Sequence, residues 1–165
     1  MFTVTEYLAS IRTNLAPHTE TLVNQLKTVA ELTFAADVEL LDFAAFIEPL
    51  SHEVSITLFS MDRDANEVFE EEGTPGFAGS RSVLDEIVFM DVPDDQSEAF
   101  DAFYEEHEET LLEEEQRLIG EWFRTCFEQA GGAAVELPCY FGVHDEGQTL
   151  DLKRNVWMDE EEKWN

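Results

Sequence analysis

Residues 52–62, HEVSITLFSMD, decide the fold class. Val54, Ile56 and Leu58 alternate with Glu53, Ser55 and Thr57. A period of two places the apolar set on one face of a half-buried strand. Upstream the period is helical. Residues 4–16 carry Val4, Tyr7, Leu8, Ile11 and Leu15 at helix spacing, with Thr3 or Thr5 available as a cap. Pro17 ends that helix and suits the start of the next. Residues 18–32 place Leu22, Val23, Leu26, Val29 and Ala30 on one face. The stretch DVELLDFAAFIEP, 37–49, reads as a third helix from Asp37 to about Glu48, stopped before Pro49. Its apolar residues are nearly continuous, which predicts burial.

Downstream, DRDANEVFEE supplies a turn and a short return strand, so 53–70 reads as a hairpin. Three glycines and a proline between Gly73 and Gly79 predict a flexible loop, and SVLDEIVFMDVP, 82–93, a further strand. Asp94 to Gln129 reads as one long helix. Asp94, Asp95 and Ser97 favour its start, and Gly131-Gly132 closes it. Unbroken, it would be a rod of about 54 Å, long enough for this chain to expect a bend. Residues 136–160 read as strand, Asp-Glu-Gly turn, strand. In that last strand Leu150, Leu152, Val156 and Met158 share one parity, which puts Trp157 on the opposite face. Residues 158–165 are expected to fray.

The expected architecture is a single α+β domain over residues 1–165. It has a mainly antiparallel sheet of about five strands, N-terminal helices, and one long acidic helix packed on it. At 165 residues and 44% hydrophobic content, the chain can bury a core. No apolar run approaches the roughly 18 residues that span a bilayer, and the N-terminus lacks a secretory pattern. Cys126 and Cys139 lie in apolar surroundings with no CxxC spacing. They read as buried thiols in a cytoplasmic protein.

Charge dominates the functional reading. Thirty-eight Asp and Glu face nine Lys and Arg, for a net −29. Such a surface repels nucleic acid and anionic membranes. Residues 93–131 hold 13 of the acids and only Arg117 and Arg124 in compensation. Solubility alone is served by a net charge of about 2–8. The excess therefore points to a basic protein partner: a nuclease, a toxin or a nucleic-acid-binding protein whose cationic groove these carboxylates would fill in place of phosphates. The expected contact residues are Glu105, Glu106, Glu108, Glu109, Glu113 and Glu114. Glu105, Glu109 and Glu113 form one i+4 row, and Trp157 is an aromatic anchor.

No catalytic motif emerges. GxSxG and HExxH are absent, and the glycine loop lacks the lysine of a phosphate loop. No cofactor and no metal are expected. The competing readings are a metal-binding protein or hydrolase using His107 or His144 with nearby acids, and a salt-adapted structural protein. The preference for Glu over Asp, 26 to 12, weighs against the latter.

Overall fold

The computed structural model describes residues 2–165. Helix α1 spans Val4–Leu15, and its cap is Thr3, whose Oγ1 accepts from the Glu6 amide at 3.1 Å. A short 3-10 turn containing Pro17 leads into α2, Thr19–Ala30. Both helices bury the residues their periodicity marks, Tyr7, Ile11 and Leu15 on α1 and Leu22, Val23, Leu26 and Val29 on α2.

The segment expected to be a third helix is instead strand β1, Leu40–Glu48. Leu41, Phe43 and Ala45 face the core, alternating with Asp42, Ala44 and Phe46. The alternation is hidden because two of the outward residues, Ala44 and Phe46, are themselves apolar, and a continuous apolar run does not distinguish strand from helix. β1 pairs antiparallel with β2, Glu53–Met61, through the turn at 49–52. That pair is the N-terminal hairpin. The expected return strand before residue 70 is reduced to an isolated bridge between Met61 and Glu67. The chain then crosses a loop to β3, Ser80–Val88. The loop is pinned rather than flexible: Phe77 donates to the Thr33 carbonyl at 2.7 Å and Ala35 to the Phe77 carbonyl at 2.8 Å. Gly76 is required there, since a Cβ would lie 2.6 Å from the Ala35 nitrogen and its φ is +96°.

Two helices, α3 (Ser97–Glu106) and α4 (Glu108–Gln129), cross from β3 to the other half of the sheet. Strands β4 (Cys139–Val143), β5 (Gln148–Asp151) and β6 (Val156–Asp159) follow. The order is β3-β2-β1-β4-β5-β6, one sheet of six strands. All neighbours are antiparallel except β1 and β4, which pair parallel from Leu41–Cys139 to Ala45–Val143. One sheet face and the helices form a single core, in which the Phe123 ring of α4 lies 5.0 Å from Phe43 and 4.8 Å from Phe141. Cys126 and Cys139 are buried and free, and burial pushes their thiols up to about 11 and about 12.

The expected frayed tail is ordered. Met158 and Asp159 belong to β6, and Glu160–Trp164 forms a 3-10 turn with a capping box between Asp159 and Glu162. Lys163 is buried at 3% exposure, its Nζ 2.9 Å from Asp42 Oδ2 on the outer face of β1. Acid-rich composition masked a segment anchored by a single buried cation. Among the described residues, no helix is long and apolar enough to cross a membrane.

Candidate functional site

The acidic segment bends at His107, which ends α3 and starts α4 with φ −113° and ψ 16°. Its amide reaches the carbonyls of both Phe103 and Tyr104 at 3.2 Å. The bend sets Phe100 and Phe103 against Tyr7 on α1, at ring separations of 5.6 and 6.1 Å.

Glu105, Glu106, Glu108, Glu109, Glu113 and Glu114 are all exposed around this elbow. The expected i+4 row is interrupted, because Glu105 lies on α3 while Glu109 and Glu113 lie on α4. Glu113 is partly neutralised by Arg117, 3.0 Å away. Arg124 pairs with Glu128 at 2.8 Å and also donates to the Leu152 carbonyl. Glu105 and Glu108 line a cleft of about 460 Å³ beneath the elbow. The cleft opens where β1 turns and β4 ends. Ile47, Leu50, Leu112 and Val143 give it apolar walls, and Phe89, Phe100 and Tyr104 aromatic ones. Asp101 and Glu146 add further carboxylates.

At the back of the cleft stands Glu115, only 4% exposed. Its two oxygens accept from different tyrosines, Oε1 from Tyr7 and Oε2 from Tyr104 at 3.3 Å. Burial raises the Glu115 carboxyl above the ordinary range, and the two phenol donors oppose that shift. Burial together with the Glu115 charge raises both phenols, which therefore remain donors at neutral pH. His52 also lines the cleft, in a left-handed conformation with φ 53°, its ring edge-on to Phe100 at 5.1 Å. Burial lowers its pKa, with Asp101 pulling the other way. Beside Glu115, Gln116 Oε1 is sealed from solvent and has no hydrogen-bond partner among the described residues.

The remaining sequence-marked residues are elsewhere. Trp157 is half-buried and pairs across strands with Leu150, so it shares the core face with Leu150. The parity argument failed because a turn at 152–155 separates the two residues and resets the alternation. The Trp157 ring lies over Gly120 of α4, where a Cβ would be 2.6 Å from it. His107 packs on Phe103 at 5.2 Å, and His144 packs on Phe46 at 4.8 Å, both with tilted rings. Among the described residues no three His, Cys, Asp or Glu side chains converge as a metal site would require.

The sequence reading placed Tyr7 on the apolar face of α1 but gave no site role to Tyr7, Glu115 or His52. A usable signal existed for Glu115: it falls four residues from both Leu111 and Ile119, inside the apolar stripe of α4. No known protein family, curated protein or solved structure matches the chain.

Proposed function

We propose that this protein is a non-enzymatic acidic binding protein that occupies the cationic surface of a basic partner, in the manner of an inhibitor or immunity protein for a nuclease, toxin or nucleic-acid-binding protein. One observation carries the reading: the six glutamates of the elbow are all exposed, and Arg117 is the one cation ion-paired to any of them among the described residues. A carboxylate surface of this density raises the encounter rate with a cationic groove and excludes nucleic acid from it by charge. Two free buried thiols support a cytosolic setting.

The test is capture of partners from cytosol at low salt, followed by charge reversal on the purified pair. Glu106, Glu109 and Glu114 are changed together to Lys. Glu70, Glu71 and Glu72, exposed in the loop before β3, are changed in a control of equal net charge. The elbow variant is expected to bind more weakly, mainly through a slower association rate, while the control stays near the wild type. Equal binding by the two variants would reduce the elbow to a solvated face.

A further inference from the structure

The elbow carries something that a merely solvated acidic face does not need. In the most acidic part of the chain there is an apolar cleft of about 460 Å³, a volume within the range of ligand pockets. Leu50, 92% exposed, and Leu112, 43% exposed, stand at it among Glu105, Glu108 and Glu146. Leu50 and Leu112 carry the apolar wall of the cleft out to its rim.

Deepening the reading above, and resting on it, we propose that this cleft receives an arginine side chain projecting from the basic partner. The chemistry selects that occupant. Carboxylates at the mouth repel anions, and apolar and aromatic walls disfavour a hydrated metal ion, for which no ligand set converges among the described residues. A guanidinium matches both halves of the site. Its planar face stacks on the partly exposed ring of Tyr104, and its fork of donors meets carboxylates such as Glu105 and Glu108 two at a time. The aliphatic stem lies against Leu112 and Val143. Gln116, whose Oε1 has no hydrogen-bond partner among the described residues, lines the same cleft. A lysine supplies the charge but neither the plane nor the fork.

The probes are three capped tripeptides, Gly-Arg-Gly, Gly-Lys-Gly and Gly-Leu-Gly, titrated into the intact protein while the methyl resonances of Ile47, Leu112 and Val143 are followed by NMR. The arginine peptide is expected to shift these methyls at lower concentration than the lysine peptide, and the leucine peptide to leave them in place. Changing Glu105 and Glu108 together to Gln is expected to weaken the arginine response roughly tenfold, the loss of a charge-assisted hydrogen bond. Thermal unfolding serves as the check that this variant is folded. Equal responses to arginine and leucine, or no response in the cleft methyls of the wild type, would overturn the proposal. The readout is independent of the captured partner. Failure of the elbow reversal removes the parent reading without touching the peptide result, and failure of the peptides leaves the elbow reversal to stand or fall by itself.

Discussion

The Tyr7 hydroxyl on the first helix donates to the carboxylate of Glu115 on the fourth, 108 residues later in the chain. This bond and that from Tyr104 give a nearly inaccessible carboxylate a donor on each oxygen. Tyr7→Phe removes one donor and leaves a buried acceptor unpaired. It is expected to destabilise the fold by about 1–3 kcal/mol, measured by urea unfolding. Loss of less than a few tenths would show that water replaces the phenol.

The same carboxyl gives a pH dependence of determinate sign. Burial raises its folded pKa above the ordinary carboxyl value of about 4.5. The contribution from this group is therefore complete below that value and is lost as pH rises through the folded pKa. Glu115→Gln has no such loss. The melting temperature of the variant relative to the wild type should climb as pH rises above the ordinary carboxyl range, a trend opposite to that of a carboxylate stabilised by an ion pair. A flat difference over that rise would contradict the assignment.

Gly120 exists to admit the Trp157 ring. Gly120→Ala places a Cβ 2.6 Å from it and should cost about 1–3 kcal/mol by overpacking, although alanine is the better helix former. Combining it with Trp157→Leu should cost less than the two single changes added, the signature of direct contact. Additive losses in the denaturant series would mean that the helix and ring adjust independently.

Lys163 is enclosed with Asp42, and breaking a buried pair leaves an uncompensated charge. Lys163→Met alone is expected to lose about 3 kcal/mol. Adding Asp42→Leu should recover much of that loss, which calorimetry can follow. If the double variant is no better than the single, the anchor is the packing of the lysine stem and not its charge.

Self-repulsion among the exposed glutamates gives a bulk prediction. Added NaCl should raise the melting temperature, because at 0.1 M the repulsion between exposed acids more than about 10 Å apart is largely screened. A fall would indicate that ion pairs such as Arg117–Glu113 matter more than repulsion.

How far the sequence carries depends on the kind of pattern. Amphipathic spacing placed α1, α2 and most of α4, because each buries one stripe and wets the other. It failed at β1, a strand central enough to carry Ala44 and Phe46 on its outer face, which erased the alternation. It failed again at Trp157, where parity was carried through a turn. Charge density marked the elbow glutamates but not which of them face water, since Glu115 of the same run is buried. The cleft was not, since Ile47, Phe100, Leu112 and Val143 come from four separate elements that only the tertiary fold brings together.

The parallel seam between β1 and β4 has a consequence for how the chain assembles. The strands β1, β2 and β3 follow one another in sequence and pair antiparallel, β1 to β2 by a tight turn and β2 to β3 by the longer loop, and β4, β5 and β6 likewise pair antiparallel. Joining the two triplets requires Leu41 to meet Cys139, and so closure of a loop that contains both crossover helices. Until that closure, each triplet presents a bare, hydrogen-bonding edge along what becomes the middle of the sheet, the kind of edge that templates aggregation. During that interval the unbalanced negative charge is protective, because half-folded chains that expose matching edges repel one another before they can pair.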